Sequence, residues 1–390
     1  MEHHLVTGAT GLLGSAIVLE LLERTNGKVT CLVRPRPGLD ADTRLKSELQ
    51  RAATVYGRPD LAPEIEGRCH GLIGDITEPS CGAGLTGNAD HFWHVAASMA
   101  YEYERKEDIV ARNIDGTRNA LALGRAARCA TFNFISSALV AGRRNGWIAA
   151  DPADPSAAVN NWYEYSKVAS ECEVRAQSFD SIRIFRPSLI IGHSRTLAAT
   201  TISGLYNLAL GLALAVRELR GRGGEPPWPL RINGLPDGST NYIPVDAAAR
   251  AAVQITLADT GTGVYHLTNA HSTPLRDTFR ALSRILEIPE AVIQDGAEGF
   301  TDADHFVNDK VGVYRPYLRC AKEFDQTNVA QLIGPVDLPI DTTALAAHLA
   351  WYLHGPGGDI LASLGSQPAT GLGRRVAEGI LTPRPSQIRT

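Results

Sequence analysis

The chain has 390 residues, 44% of them hydrophobic and 21% charged, with a formal net charge of -4. That length suffices for one large domain or two intimately joined ones, and the slightly acidic balance gives no basic footprint for nucleic acid. The six cysteines, Cys31, Cys69, Cys81, Cys129, Cys172 and Cys320, form neither a CxxC pair nor a zinc spacing, which predicts reduced thiols in a cytoplasmic protein and no metal site.

The first predicted element starts almost at the N-terminus, with no signal peptide ahead of it. Leu5-Val6-Thr7 is a short apolar strand that breaks into Gly8-Ala9-Thr10-Gly11-Leu12-Leu13-Gly14 and runs into the helical stretch Ser15 to Leu22. Between a strand and a helix, three glycines so spaced are a dinucleotide-binding signature. Gly8 allows the tight turn, Gly11 lets the backbone approach a pyrophosphate, and Gly14 lets the helix pack on its strand. The helix start presents unpaired N–H groups to the phosphates. Lys28 to Val33 is a second strand, ending in Arg34-Pro35-Arg36. An acidic residue there accepts from a ribose 2′-hydroxyl, whereas arginine accommodates a 2′-phosphate. Arg34 therefore predicts NADPH rather than NADH, the competing reading being a solvated loop arginine.

Thr43 to Tyr56 carries Leu45, Leu49, Ala52 and Ala53 on one helical face. His70 to Asp75 and Asp90 to Ala97 read as the third and fourth strands. Strand ends border the ligand crevice of such sheets, so Asp75, Ile76, Ala96 and Ala97 are expected on the adenine side; Asp75 as a plain turn residue is the alternative. A helix holding Asn113 to Asn119 precedes the strand Thr131 to Ser137. After a loop over 145–161 comes a helix in which Tyr163 and Lys167, four apart, share a face that Tyr165 does not. Arg183 to Gly192 supplies a further strand and its exit, with Pro187 and Ser188 expected against the cofactor. The apolar run Leu205 to Val216 falls short of the roughly 18 residues of a spanning helix and predicts a buried one, either lining an acyl channel or simply in the core.

The order of these motifs resembles the extended short-chain dehydrogenase/reductases from residue 5 to about residue 270. Within that superfamily the chain looks most like the thioester reductase and fatty acyl-CoA reductase branch. Four features carry that likeness: Leu32-Val33-Arg34, the extra helix from Arg44-Leu45 to Tyr56-Gly57, Gly74-Asp75-Ile76-Thr77-Glu78-Pro79, and Gly192-His193-Ser194-Arg195-Thr196. Asn241 to Asp246 and Gly263 to Asn269 look like its later strands. The resemblance implies an α/β fold with a Rossmann-type doubly wound parallel sheet over residues 1–192 and strands returning from 240–270. A smaller, mostly helical substrate-binding part would come from 193–239 and 271–390. It further implies that Ser137, with Ser136 as competitor, bonds the substrate oxygen. Lys167 would bind the nicotinamide ribose, and Asn113 would hold a water linking Lys167 to solvent.

Hydride transfer to a carbonyl builds negative charge on oxygen, which must meet hydrogen-bond donors or a proton. The Tyr163 hydroxyl suits that task, and the Lys167 ammonium one turn away is expected to bring its pKa down from about 10. The branch resemblance implies an acyl thioester substrate on a phosphopantetheine arm of coenzyme A, or of an acyl carrier protein in trans, reduced to an aldehyde and optionally to the alcohol. An aldehyde or ketone reductase of hydroxysteroid-dehydrogenase type would use the same side chains on a free carbonyl. A non-catalytic NADPH sensor is disfavoured, since such proteins typically lose the tyrosine and lysine. Arg217, Arg220 and Arg222 either meet phosphates of the arm or form a solvated basic loop, while 221–229 and 365–390 read as a loop and a tail.

Overall fold

A computed structural model describes residues 2–85, 87–99, 105–202, 204–222, 228–258 and 261–363. Most of the 221–229 loop and all of the 365–390 tail lie outside the described residues.

The main sheet consists of β1 (His3–Thr7), β2 (Lys28–Val33), β3 (Cys69–Ile73), β4 (His91–His94), β5 (Thr131–Ile135), β6 (Ser181–Pro187) and β7 (Gly263–Leu267). Its spatial order is β3-β2-β1-β4-β5-β6-β7, and every pairing is parallel. Parallel strands are buried on both faces, which is why β5 and β6 read as continuous buried runs. The helices that cover the sheet are α1 (Leu12–Arg24), α2 (Ala41–Val55), α3 (Gly116–Ala126) and α4 (Trp162–Arg175), joined after α5 (Leu205–Gly221) by α6 (Val245–Leu257). One core joins α1, α2 and α6 through Ile17, Leu45 and Val253; on the other face α3 and α4 pack Leu121 and Val174 against Phe92 and Phe132. The strand order reverses between β1 and β4, and ligands of such sheets bind in the crevice above that switch point.

The strands stop earlier than the sequence pattern suggests, so residues 95–97 and 136–137 are already loop at the carboxyl ends of β4 and β5. The expected strand through Ile191 is two strands. Pro187, with no N–H to donate, ends β6, and Leu189–Ile191 leaves to pair in parallel with Tyr242–Pro244.

A second core surrounds α5 and includes α7 (Leu275–Ile285) and α8 (Thr342–Leu353). Helix α5 is buried along most of its length, and no described helix is long and apolar enough to cross a membrane. Its basic end is tied down: Arg217 donates to Leu361 O at 2.6 Å, Arg220 to Glu287 O at 2.9 Å, and Arg222 lies over the Phe306 ring. The segment 145–161, expected as a loop, contains a strand, Gly146–Ile148, paired in parallel with Lys322–Phe324.

Candidate active site

The glycine turn is shaped by backbone crowding. Gly8 has φ +76°, and a Cβ there would lie 2.6 Å from the Ala96 backbone nitrogen. A Cβ on Gly14 would lie 2.1 Å from Gly8 O, so α1 closes onto β1 only without a side chain at that position. At Gly11 the nearest atom would be Gly8 O at 3.3 Å, a much milder contact than at Gly14. Gly11 is the N-cap of α1 and has no side-chain bond to offer, so the first-turn N–H groups of Leu12 and Leu13 receive no side-chain cap. Thr10 and Leu12 are half-buried and Leu13 is buried.

Around this turn the predicted cofactor residues assemble at the strand ends. Thr7 Oγ1 accepts from the backbone N–H groups of Val95 and Ala96, fastening β1 to the loop that carries Ala96 and Ala97. Behind it His94 bridges Thr7 and Thr117 at 2.8 and 3.1 Å, and burial takes its pKa down to about 3, keeping it neutral. Arg34 is exposed at the end of β2, with no ion pair among the described residues. Asp75 folds its carboxylate onto Thr77, accepting from its N–H and hydroxyl at 3.0 and 2.9 Å, as a turn residue does. Ile76 is buried, and its carbonyl accepts from Asn119. Pro187 and Ser188 sit at the exit of β6, where Ser188 Oγ is buried with no hydrogen-bond partner among the described residues. A turn that tolerates no Cβ, an uncapped helix start, a free guanidinium at the end of β2 and an orphaned hydroxyl together fit a bound dinucleotide.

The chemistry-bearing side chains meet at the end of β5. Tyr163 and Lys167, one turn apart on α4, are only 3% and 4% exposed. Burial pushes the Tyr163 phenol up to about 12, against the downward pull of its hydrogen bond with Ser137. The phenol thus stands above its ordinary value, not below it as the Lys167 spacing suggests, because desolvation outweighs the favourable contacts. The Lys167 ammonium is itself brought down to about 8 by burial, partly offset by the Glu171 carboxylate. Of the two serines, Ser136 gives its hydroxyl to Glu171 at 2.5 Å, whereas Ser137 caps a 3-10 turn over Ala138–Ala141 and faces Tyr163. Tyr165 is 44% exposed and packs edge-on against Trp162.

Asn113 lies in a π-helical turn, Val110–Asp115, ahead of α3. Its side chain bonds Ser98 N and O and donates to Ser166 Oγ at 2.9 Å; its carbonyl accepts from Thr117 and Ser170. Lys167 is not among these partners, so the residue joins the π turn to α4.

Three features were not apparent from the sequence. Glu171, one turn beyond Lys167, forms a fully buried pair with Arg186 at 2.7 and 2.9 Å; the i, i+4 spacing was the available signal. Asn161 caps α4 by accepting from Glu164 N and donates to the Tyr317 hydroxyl at 2.7 Å. Beside the Ser137 turn lies a pocket, partly open to solvent, whose walls include Leu139, Ser188, Leu208, Tyr317, Lys322 and Phe324. The Asn161–Tyr317 bond and the pocket have no local signal, since both depend on residues beyond 310 reaching back to the sheet.

A family model for NAD-binding domains, described as male sterility protein, matches residues 6–252. The chain belongs to the male sterility protein family. As a member of the male sterility protein family it is an NAD(P)-dependent oxidoreductase of the extended short-chain type that the motifs resemble. It is similar to a linear gramicidin synthase protein of Brevibacillus parabrevis, at 25% identity over 325 residues, 77% of this chain and 6% of that protein. Isonitrile lipopeptide synthase of Mycobacterium tuberculosis is 27% identical over 305 residues, 68% of this chain and 11% of that protein. The chain thus spans only a small part of the curated relatives it matches. Its fold is also that of the terminal R domain from the myxalamid PKS-NRPS pathway, with a TM-score of 0.68, 22% identity and 91% of each chain covered.

Proposed function

We propose that the chain reduces an acyl thioester on a phosphopantetheine arm to the aldehyde, with NADPH as reductant. The observation that carries this reading is the buried Tyr163 phenol, bonded to Ser137 at the end of β5, with Lys167 one turn further along α4. The similarity to two peptide and lipopeptide synthases and to a terminal R domain supports a thioester rather than a free carbonyl.

In this reading Gly8, Thr10, Gly11, Leu12, Leu13 and Gly14 hold the pyrophosphate, and Arg34 meets the 2′-phosphate. Asp75, Ile76, Ala96 and Ala97 border the adenine side; Pro187 and Ser188, with Tyr163 and Lys167, border the nicotinamide. When bound, the reduced nicotinamide supplies the hydride. Ser137 and Tyr163 donate to the thioester oxygen and stabilise the charge that grows on it. In the free enzyme Tyr163 is a protonated phenol at neutral pH that burial makes a weaker acid, so giving up its proton requires positive charge beside it. The Lys167 ammonium stabilises the tyrosinate left after proton transfer. Collapse of the thiohemiacetal expels the pantetheine thiol and leaves the aldehyde. Asn113 acts as a positioning residue for α4. The thioester arrives on coenzyme A or on an acyl carrier protein supplied in trans.

The test follows NADPH absorbance and free thiol with an acyl-pantetheine and, separately, with the matching aldehyde. NADPH oxidation matched by thiol release is the expected result. Oxidation with the aldehyde alone replaces this reading with an aldehyde or ketone reductase.

A further inference from the structure

We propose that Lys322 is a specificity-determining residue that anchors a carboxylate carried on the acyl chain of the substrate. This rests on the thioester reading above and concerns a part of the site that hydride transfer does not use.

The cavity beside Ser137 has largely apolar walls, contributed by Leu139, Leu208, Tyr317, Phe324 and their neighbours. Lys322 interrupts them. It lies on the short strand Lys322–Phe324, whose alternation puts residues 322 and 324 on one side and Glu323 on the other. Glu323 accordingly points away and accepts from Ser272 N. Lys322 is 6% exposed and gives one hydrogen bond, from Nζ to Gly142 O at 2.6 Å.

An ammonium has three donors, and a buried one is ordinarily paired with an anion because desolvating an uncompensated charge is costly. Among the described residues no carboxylate lies within 4.0 Å of Nζ. Glu164 is a fully buried carboxylate on the adjoining helix, but both its oxygens accept from Asn160, at 2.7 and 3.1 Å. The cavity wall therefore holds a positive charge with donors to spare.

The complement of such a wall is an apolar acyl chain that ends in, or carries, one carboxylate. A phosphate is a poorer match, since its larger charge and solvation require more donors than an apolar cavity with one ammonium provides. The anchor also sets reach, because the carboxylate must meet Lys322 while the thioester carbonyl meets Ser137 and Tyr163. One chain length is therefore preferred over its neighbours.

The experiment compares two series of pantetheine thioesters matched in length, ω-carboxyacyl from succinyl to suberyl and alkanoyl from butyryl to octanoyl, with wild type, Lys322→Met and Lys322→Gln. The glutamine amide can still donate to Gly142 O without carrying charge, so it guards against a purely structural loss. Wild type should favour one carboxylated chain over its alkanoyl match. Both variants should lose on the order of 10- to 100-fold in kcat/KM on that chain, chiefly through KM, and keep their alkanoyl rates. Equal loss on both series, or no carboxylate preference in wild type, overturns the proposal. Calorimetry of the NADPH-loaded protein with an unreactive ω-carboxyalkyl amide adds a readout without turnover. If no thioester of either series is reduced, the thioester reading fails, and the amide still decides Lys322: binding that weakens in both variants supports the anchor, and binding equal in all three proteins removes it.

Discussion

Lys167 donates its Nζ to the backbone oxygen of Ile135 at 2.9 Å, two residues before Ser137. Helix α4 is thereby fastened to the end of β5, and the same contact sets Tyr163 against the serine that follows the strand. With that geometry Tyr163→Phe should retain cofactor affinity and lose about 100- to 10,000-fold in kcat, the usual scale for removing a general acid. Ser137→Ala should lose somewhat less. Fluorescence titration with NADPH and steady-state rates separate the two effects; an unchanged rate in Tyr163→Phe removes the phenol from the scheme.

The Lys167 ammonium, held down to about 8, predicts that reductive kcat/KM declines as pH rises through about 8. Its effect on stability has the opposite sign. The folded pKa lies below the unfolded value of 10.5, so between about 8 and 10.5 the unfolded chain holds a proton that the native chain has lost. Folding stability therefore rises with pH through that window, and the full cost of burying the charge, roughly 3 kcal/mol at 1.36 per unit, is present below it. Lys167→Met should be inactive yet at least as stable at pH 7, the gain being reduced by about 1 kcal/mol for leaving Ile135 O unpaired. Urea unfolding of both proteins at pH 7 checks this.

The glycine turn separates folding from binding. Gly14→Ala would drive a Cβ to 2.1 Å from Gly8 O and should lower the melting temperature sharply. Gly11→Ala, whose nearest contact at 3.3 Å is far less severe, should perturb the fold much less than Gly14→Ala and lose NADPH affinity, because this glycine is where the motif brings the backbone close to the pyrophosphate. A Gly11→Ala variant that binds NADPH as wild type does would move the pyrophosphate away from this turn.

Glu171 and Arg186 are 0% and 1% exposed and bond each other twice. Arg186→Met leaves the Glu171 carboxylate buried and uncompensated, and should destabilise by about 3–5 kcal/mol. Adding Glu171→Met should restore most of that loss even though Ser136 then loses its acceptor. A double variant no more stable than the single one would mean that the pair's worth lies in packing rather than charge.

Arg34 is exposed at the end of β2 with no ion pair among the described residues, so its guanidinium is available to a 2′-phosphate. Arg34→Asp should weaken NADPH binding by roughly 10- to 100-fold, the scale of a charge-assisted bond lost and a repulsion gained, while NADH binding changes little. Titration with both cofactors decides it; equal losses remove the phosphate role.

What the amino-acid sequence determined by itself was everything encoded within a few residues of chain. The glycine turn follows from three spacings between a strand and a helix, the α/β alternation from apolar periodicity, and the shared face of Tyr163 and Lys167 from a four-residue step. Tertiary structure decided what depends on segments distant along the chain. Ser136 turns to Glu171 and Ser137 to Tyr163 because β5 ends against α4, a fact absent from the serine pair itself. The Tyr163 phenol rises rather than falls because burial, invisible in spacing, outweighs its hydrogen bond with Ser137. Lys322 reaches Gly142 across 180 residues only because a three-residue strand from the C-terminal part pairs with one in the loop after Ser137. Local propensity is written into short stretches of sequence; desolvation and long-range pairing exist only once the chain has closed upon itself.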